Sequence, residues 1–504
     1  MTESIGNQNA IVYSLYKPFR NQIRNYNLLD SLYVIWGYSR NFTFDLPFPS
    51  DIELPAGFNP NDELNNRRYR GLPEFEQEFL MKEFILNCDP NLTSKSLKSK
   101  SNLSKLVNYL RRDFNDTVDK HFTIAGDFML EFNRMAHRQF NWQVGYNTNV
   151  IFRYYKVYSD VEVAAIVKKR FQLTTFQLFL LGFFFFRWTA QHYRISLPFK
   201  SPFSLITNEM IEIFFSHFSM SIEQAREELK ACQQMNGNIF YSYNPMVAKP
   251  ILTLGNAFIC PIHLLLFWQV TGGIYYSIVR EKGFENAFGN SFENYIGEVL
   301  LKSCTNQDLK ILSEEIYGKE QKRTTDWILF DAEGILFIEC KAKRMTMLSK
   351  TELDVNKGLE SDIKKMASFI FQLYKTYIDY NENKYPQIQF NSDRKFVPLV
   401  VTLEPWYINL NPRIMEMLHK TVIDTFKENS LDTNLLTLFP YHIRSSEDFE
   451  KDIQIINELG IIGYFDKISK KELHEYIQNF EYHNIFEGEF ERIFLNPLNE
   501  NRKE

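Results

Sequence analysis

The segment Thr325–Arg344 (TDWILFDAEGILFIECKAKR) constrains the fold of this chain more than any other part of it. Two short apolar runs, Trp327–Phe330 and Ile335–Cys340, stand on either side of Asp331-Ala-Glu-Gly334. An aspartate in the first position and a glycine in the fourth suit a tight turn. Short apolar runs bounded by turn residues are typical of strands. The segment therefore predicts a β-hairpin.

The register of this hairpin places charged side chains together. If the turn is a two-residue loop closed by Asp331 and Gly334, Asp326 lies directly opposite Glu339, and Lys341 points to the same face. A three-residue loop would shift the register by one residue and turn Asp326 away, unless a bulge restores the pairing. Two acids in a largely apolar sheet repel each other and lose hydration unless a cation or a proton compensates.

The segments around the hairpin alternate between helical and strand patterns. Gly289–Leu301 and the apolar positions of residues 363–378 follow helical spacing, and Phe396–Leu403 is typical of a buried strand. A further strand is predicted at Ile461–Phe465, and Ser469-Lys-Lys-Glu472 has the form of a capping box that begins a last helix. The C-terminal part therefore predicts an α/β core with a mixed sheet flanked by helices.

These residues resemble the PD-(D/E)XK nuclease superfamily over about residues 286–480. The Gly289-x-x-Phe292-Glu293 helix start is similar to the Mrr-like branch. The resemblance implies a restriction-endonuclease-like fold, with Asp326, Glu339 and Glu293 as metal ligands and catalytic residues and Lys341 as the catalytic lysine. Thr325 stands where the family has proline before the aspartate.

The E-x-K triplet is weak by itself, because it also occurs at Glu228/Lys230, Glu320/Lys322 and Glu382/Lys384. Glu339/Lys341 alone follows an apolar strand and opposes an acid across a turn. Glu298 is an alternative to Glu293 as the helix acid. A strand-end salt bridge between Lys341 and the acids is the structural alternative to an active site.

The chemistry of the cluster favours a divalent cation. Carboxylate oxygens with room for water are the ligands that Mg²⁺ prefers, and a bound metal can polarise a phosphoryl oxygen. We expect Mg²⁺ as the cofactor, with Mn²⁺ able to substitute. Lys343 and Arg344 are the candidate nucleic-acid-binding residues, with solvated charges at a strand end as the alternative.

Residues 1–285 carry no catalytic signature that we recognise. The helical patterns at 11–39 and 74–88 and a proline-rich loop at 45–60 precede a Ser/Lys-rich stretch, 91–112, which predicts an exposed connector or basic arm. Three segments are expected: a mostly helical region at 1–104, a helical, aromatic-rich domain at 105–285 for sensing or target selection, and the nuclease domain at 286–504. Ser221-Ile-Glu-Gln224 predicts a helix start.

Two apolar runs, Phe176–Trp188 and Ala257–Val270, are shorter than the roughly 18 residues that a membrane span needs. Both are therefore interpreted as buried helices. Five widely spaced cysteines argue against a disulfide framework, and the nine histidines show no metal-ligand spacing. Since Met1–Ala10 contains an acid and no base, no secretory signal is expected, and a cytoplasmic location follows.

The sequence thus predicts a Mg²⁺-dependent endonuclease that acts on nucleic acid in prokaryotic anti-phage defence or restriction. We expect DNA as its substrate, and RNA stays open as the alternative. No membrane partner is expected, and a second copy of the chain or a trigger protein stays open as a partner. Tyr154, Tyr155 and Tyr158 could stack bases, although core packing is favoured. The alternatives are a catalytically inactive nuclease-fold protein with a binding or structural role, and a membrane-acting effector.

Overall fold

The computed structural model describes residues 2–54, 72–89, 95–111, 128–233, 239, 242–351, 357–470 and 472–502. The chain divides into two compact units. Unit 1 comprises Met1–Ile151, Ala164–Arg280 and Glu491–Glu504, and unit 2 comprises Phe152–Val163 and Glu281–Phe490. The predicted boundary at residue 285 lies close to the observed one at 280. The segment Phe152–Val163, assigned from the sequence to the middle domain, belongs instead to unit 2.

Helices form most of the described chain. In chain order they are α1 Thr2–Ile23, α2 Leu28–Phe44, α3 Glu74–Asn87, α4 Lys100–Asn108, α5 Phe128–Val144, α6 Thr148–Ser159, α7 Val161–Phe171, α8 Thr175–Gln191, α9 Asn208–Phe218, α10 Ile222–Cys232, α11 His263–Trp268, α12 Ile274–Ile278, α13 Phe284–Ser303, α14 Met347–Thr351, α15 Lys357–Asn381, α16 Pro412–Glu428, α17 Leu435–Leu438, α18 Ser446–Ser469, α19 Leu473–Asn479 and α20 Asn496–Glu500. Short 3₁₀ turns lie at Pro245–Val247 and Ile408–Leu410, and π-helical turns lie at Gln269–Gly273 and Glu491–Leu495.

Two sheets and a small ribbon accompany the helices. The strands are β1 Ile195–Ser196, β2 Ser219–Ser221, β3 Ile251–Leu254, β4 Ala257–Ile259, β5 Lys310–Ser313, β6 Ile316–Tyr317, β7 Lys322–Arg323, β8 Trp327–Phe330, β9 Gly334–Lys341, β10 Lys395–Thr402 and β11 His442–Ser445. Unit 1 has a four-stranded sheet of order β1-β4-β3-β2, which the sequence did not predict. A helical N-terminal region thus accompanies an α/β C-terminal region, as predicted.

Several predictions for unit 1 are confirmed. The capping box between Ser221 and Gln224 begins α10, with the Ser221 side chain accepting from the backbone N–H of Gln224. The run Phe176–Trp188 lies in α8, which buries Phe179, Phe185 and Phe186 and leaves its other four aromatic side chains partly exposed. Among the described residues, no single helix is long and apolar enough to cross a bilayer, whereas α7 and α8, bent by 62° at their junction, pass that test as a pair.

Other predictions for unit 1 are corrected. The helical pattern at 11–39 is split between α1 and α2, because the Asn27 side chain accepts from the N–H of Asp30 and caps α2. The run Ala257–Val270 is not one helix, since its first three residues form β4 and α11 begins only at His263. The Ser/Lys-rich stretch forms α4 over Lys100–Asn108 and buries Leu103, Leu106 and Val107, so the described part is no solvated connector. Residues 91–94 and 112 lie outside the described residues.

Unit 2 is built on a five-stranded mixed sheet of order β11-β10-β9-β8-β5. β5, β8 and β9 pair antiparallel, whereas β10 and β11 continue the sheet parallel to β9. The chain crosses over through α15 between β9 and β10 and through α16 and α17 between β10 and β11. β9 is buried along nearly its whole length, which is typical of a central strand covered on both faces.

Helices cover both faces of this sheet. Phe337 of β9 packs against Tyr380 of α15. Gly334 points to the opposite face, where a Cβ atom would lie 2.9 Å from Ile461 of α18. Because side chains alternate between faces along a strand, Glu339 and Lys341 share the face of Phe337. The two faces are thus covered by different helices.

The predicted strand at Ile461–Phe465 is wrong, because these residues continue α18 beyond a kink at Gly460. Gly460 has a φ of 74°, and the N–H of Ile461, which the kink frees, donates to Oδ2 of Asp331 at 2.9 Å. A short apolar run does not by itself distinguish a buried strand from a buried helix. The capping box at Ser469–Glu472 is wrong too, since Ser469 ends α18 and donates to the carbonyl of Phe465. The parallel strand β11 was not predicted.

Candidate active site

The predicted hairpin and its register are confirmed. β8 and β9 pair so that Trp327 lies opposite Ile338 and Phe330 opposite Ile335. Asp331 closes the turn, because its Oδ1 accepts from the N–H groups of Glu333 and Gly334. Continued by one residue, this register sets Asp326 opposite Glu339.

Glu314 extends this row of acids onto a third strand. β5 pairs with β8 so that Ser313 lies opposite Trp327, and the next step of that register sets Glu314 opposite Asp326. Glu314, just after β5, and Asp326, just before β8, are therefore expected to lie in register with Glu339 of β9. Glu314 is not among the site residues predicted from the sequence, because β5 is short and carries no clear strand pattern.

Asp326 has one carboxylate oxygen tied to the backbone. Its Oδ2 accepts the N–H of Cys340 at 2.6 Å. Burial raises the pKa of Asp326, whereas the charge of Lys341 and the hydrogen bond from Cys340 oppose that rise. The carboxyl is thus held in place at the start of β8.

Glu339 is buried, with 1% of its surface exposed. Its Oε1 lies 2.6 Å from Nζ of Lys341, and its Oε2 lies 3.3 Å from the hydroxyl of Thr325. Burial and the negative charge of Asp326 raise the pKa of Glu339 to about 7, against the lowering effect of Lys341. In the absence of a cation, this carboxyl therefore takes up a proton near neutral pH.

Lys341 is the only cation of the predicted set in direct contact with these acids. Its Nζ lies 5.2 Å from the centre of the Phe369 ring on α15. Burial acts to lower the pKa of Lys341, but the neighbouring Glu339 and Asp326 outweigh it and raise that pKa above its ordinary value. Lys341 is therefore charged at physiological pH.

Glu293 joins the cluster from α13. Burial and the charge of Asp326, followed by that of Glu314, raise the pKa of Glu293 to about 7. The indole Nε1 of Trp327 donates to the carbonyl of Glu293 at 3.1 Å. Gly297 permits this close packing, because a Cβ atom there would lie 2.1 Å from the Trp327 ring.

Glu298, the alternative helix acid, belongs to a separate network. Its Oε1 lies 2.9 Å from Nζ of Lys156 and 3.7 Å from Nζ of Lys302. Glu489 contacts the same two lysines. The geometry therefore favours Glu293 as the helix acid of the cluster.

The two predicted nucleic-acid-binding residues differ in their surroundings. Lys343 is partly exposed, and its backbone carbonyl accepts from Nε1 of Trp406. Arg344 is 4% exposed and pairs with Glu404 at 3.1 Å, so its charge already has a carboxylate partner, and its contact with nucleic acid stays a prediction. Tyr154 donates its hydroxyl to Glu404, and it is buried like Tyr158, which excludes base stacking by these two rings as the structure stands.

A buried ion pair supports the site from the segment Phe152–Val163. Arg153 donates to both carboxylate oxygens of Glu450, at 2.7 and 2.9 Å, and Tyr295 of α13 donates to the same carboxylate at 2.7 Å. These contacts join α6, α13 and α18 within unit 2. The helix that carries Glu293 is thus held on two sides.

No group of three His, Cys, Asp or Glu side chains among the described residues is arranged to hold a metal ion. Instead, Glu339 pairs with Lys341, and Asp326 accepts the Cys340 N–H. Comparison of the chain with protein-family models, with curated proteins and with solved structures gave no match.

Proposed function

We propose that this chain is a metal-dependent nuclease that hydrolyses the phosphodiester bonds of nucleic acid, with DNA as the preferred substrate. The observation that carries the proposal is the position of Asp326 opposite Glu339 on paired strands, with Lys341 in contact with Glu339. Asp326, Glu339 and Glu293 are the proposed metal ligands, and Lys341 is the proposed catalytic lysine. The protein would serve prokaryotic anti-phage defence or restriction in the cytoplasm.

The order of elements supports this proposal. The helix α13, the hairpin β8–β9, the crossover helix α15 and the parallel strand β10 follow one another as in the PD-(D/E)XK core. The acid and the E-x-K motif lie on the two strands of the hairpin, where that superfamily carries its ligands. We therefore also propose that unit 2 has the restriction-endonuclease-like core of that superfamily.

The three acids are of the residue type that binds a hard divalent cation, although among the described residues their side chains do not converge on a common point. Mg²⁺ prefers carboxylate oxygens and retains several water ligands, and the cluster supplies Asp326, Glu339 and Glu293, each with a raised pKa. Carboxylates that repel each other in a partly buried site are stabilised by an added cation. When bound, the cation would supply positive charge beside the phosphate and make its water more acidic.

The chain's own residues then have distinct tasks. Glu339 must lose its proton when a cation binds, because metal ligands act in their deprotonated form. Thr325 donates its hydroxyl to the Ile338 carbonyl at 2.8 Å and so holds the beginning of β8 against β9. Lys341, freed in part from Glu339, would stabilise the negative charge that develops on the phosphate.

A plasmid cleavage assay tests the proposal. Full-length wild type is expected to relax or cut supercoiled DNA in Mg²⁺, and both EDTA and the Lys341→Ala substitution are expected to abolish the activity. Single-stranded DNA and RNA serve as further substrates under the same conditions. Cutting by folded Lys341→Ala at the wild-type rate would show that the site is wrong.

A second candidate is a nuclease-fold protein without catalytic activity. The ion pair of Glu339 with Lys341 and the hydrogen bond of Asp326 to Cys340 favour it, because both carboxylates already have partners. Such a protein would bind nucleic acid with no turnover in any divalent metal. Wild-type binding without cleavage, unchanged in Lys341→Ala, would favour this candidate.

A further inference from the structure

An exposed groove lies along α15, on the helix whose Phe369 ring contacts Lys341. The groove has a volume of about 400 Å³. Its lining residues are all exposed and polar, and they are Lys357, Glu360, Ser361, Lys364, Lys365 and Ser368. Neither the superfamily resemblance nor the acid cluster accounts for it.

The lysines of this groove face solvent without an acidic partner among the described residues. Among the residues that the structure describes, no acid lies within ion-pair distance, 4 Å, of Lys357, Lys364 or Lys365. Glu360 is the single acid of the lining, so the groove carries an excess of positive charge. This charge is available to an anionic ligand.

The spacing of the lysines suits a row of phosphates. Lys357 and Lys364 are seven residues apart, which places them on nearly the same side of the helix. Lys357 and Lys365 are separated by roughly 12 Å along the axis at 1.5 Å per residue. One strand of duplex DNA places a phosphate about every 3.4 Å of its axis, so about three phosphates fall within this length.

The groove leads towards the candidate active site. Ser368, its last lining residue, precedes Phe369, and Lys341 lies over the Phe369 ring. A backbone that follows α15 along the groove therefore approaches Lys341. The hydroxyls of Ser361 and Ser368 add hydrogen-bond donors for phosphate oxygens along the same path.

We propose that this lysine groove (Lys357, Lys364 and Lys365 with Ser361 and Ser368) binds the phosphate backbone of duplex DNA and guides it to the acid cluster. The inference rests on the proposed function for its destination, but its charge and geometry stand independently of catalysis. It offers phosphate contacts in addition to those predicted for Lys343 and Arg344, of which Arg344 is buried against Glu404. The contacts are to the backbone and confer no sequence preference.

Salt-dependent binding of the full chain tests this inference. A fluorescent 30-base-pair DNA duplex is titrated with protein in EDTA, which prevents cleavage, at several salt concentrations. The groove variant combines Lys357→Gln, Lys364→Gln and Lys365→Gln. Its matched control combines Lys375→Gln, Lys420→Gln and Lys427→Gln, three exposed lysines of α15 and α16 outside the groove that make the same change in net charge.

In the groove variant, the fall of log affinity with log salt is expected to be less steep by about two to three units, close to one unit per lost phosphate contact. The control is expected to change the slope by less than about one unit. Glu360→Gln, which removes the single acid of the groove, should strengthen binding. Equal slopes for wild type and the groove variant would overturn the inference, as would wild type that does not bind the duplex.

The outcome is separable from that of the nuclease proposal. If wild type cleaves DNA in Mg²⁺ but the groove variant keeps the wild-type slope, the groove is not the binding surface and the nuclease proposal stands. If wild type never cleaves DNA but its binding depends more steeply on salt than that of the groove variant, the groove is supported as the binding surface and the nuclease proposal is overturned. A duplex RNA probe under the same conditions shows whether the groove distinguishes the two backbones, and tighter lysine-dependent binding of RNA would overturn DNA as the ligand.

Discussion

The indole nitrogen of Trp327 donates to the backbone carbonyl of Glu293, and this hydrogen bond joins helix α13 to the first residue of β8. Asp326 immediately precedes Trp327. The carboxylates of Glu293 and Asp326 are therefore positioned by the same contact, which explains why Asp326 contributes to the raised pKa of Glu293.

Glu293→Gln is expected to reduce Mg²⁺-dependent DNA cleavage by roughly tenfold to a hundredfold, the range found when groups that support a metal site are altered. Glu298→Gln is the matched control, because it removes the same charge from the same helix but from the Lys156–Lys302 network. It should retain nearly full activity. Equal losses in the two variants would contradict the assignment of Glu293.

Lys341→Met is expected to lower the cleavage rate by at least roughly a hundredfold, while DNA binding in EDTA changes little. The loss follows because Lys341 is the cation in contact with the acid pair, and general acid–base or electrostatic assistance contributes at about that level. Rates are measured under single-turnover conditions with saturating protein. Lys375→Met, which changes an exposed lysine of α15 outside the acid cluster and the lysine groove, serves as the control and should cleave almost as wild type.

The stability of the metal-free protein should fall as the pH rises from about 5 to about 8. Folding raises the pKa of Glu339 to about 7 from its ordinary value near 4.5, so the folded state binds a proton in this interval that the unfolded state has lost. The free energy of unfolding therefore falls between the two pKa values, by a total of the order of 1 to 3 kcal/mol.

Urea denaturation in EDTA at pH 5.5 and pH 8 measures this loss, and Glu339→Gln should show a smaller difference between the two pH values than wild type. Some pH dependence should remain in the variant, because the pKa of Glu293 is also raised to about 7. If the two proteins show the same pH dependence, Glu339 does not have a raised pKa in the folded state.

Divalent cations should stabilise the protein through the acid cluster. A ligand that binds only the folded state at 100 times its dissociation constant adds about 2.7 kcal/mol to the free energy of unfolding. Thermal unfolding at pH 8 is therefore expected to shift upwards in Mg²⁺, Mn²⁺ and Ca²⁺, with Ca²⁺ supporting little cleavage because its larger shell positions water poorly. The shift should vanish in Asp326→Ala/Glu339→Ala, and a shift of wild-type size in that variant would place the cation elsewhere.

Glu450→Ala is expected to lower the free energy of unfolding by about 3 to 5 kcal/mol, because it leaves the buried guanidinium of Arg153 without its carboxylate. Lys451→Ala, which breaks only an exposed pair with Glu447, should cost less than about 0.5 kcal/mol. Chemical denaturation of both variants gives the comparison. A small loss in Glu450→Ala would show that the pair contributes little to the fold of unit 2.

The hairpin could be predicted because its signals are local. Asp331 and Gly334 determine the turn, the turn determines the register, and the register determines that Asp326 faces Glu339. The helices α13 and α15 were predicted for a related reason, since their apolar spacing continues over many turns. Local patterns of this kind do not depend on which other segments pack nearby.

The remaining features depend on contacts between residues that are distant in sequence. Arg344 is buried because Glu404, sixty residues later, lies beside it, and charge at a strand end gives no sign of that partner. Thr325, which departs from the expected proline, contacts Glu339 and the Ile338 carbonyl in a way that only the paired hairpin reveals. The N–H that the kink at Gly460 frees likewise has its partner in the distant Asp331, and the apolar run Ile461–Phe465 by itself gives no sign of that contact.

Unit 2 consists of two separate chain segments, Phe152–Val163 and Glu281–Phe490, which the ribosome synthesises at different times. Phe152–Val163 is synthesised well over a hundred residues before the segment that carries Glu450. During synthesis, Arg153 therefore lacks the carboxylate with which it pairs in the folded chain. A product that stops early has the arginine without the acid, and a fragment that starts at residue 286 has the acid without the arginine. Unit 2 therefore gains its buried ion pair only after the segment that carries Glu450 has been synthesised.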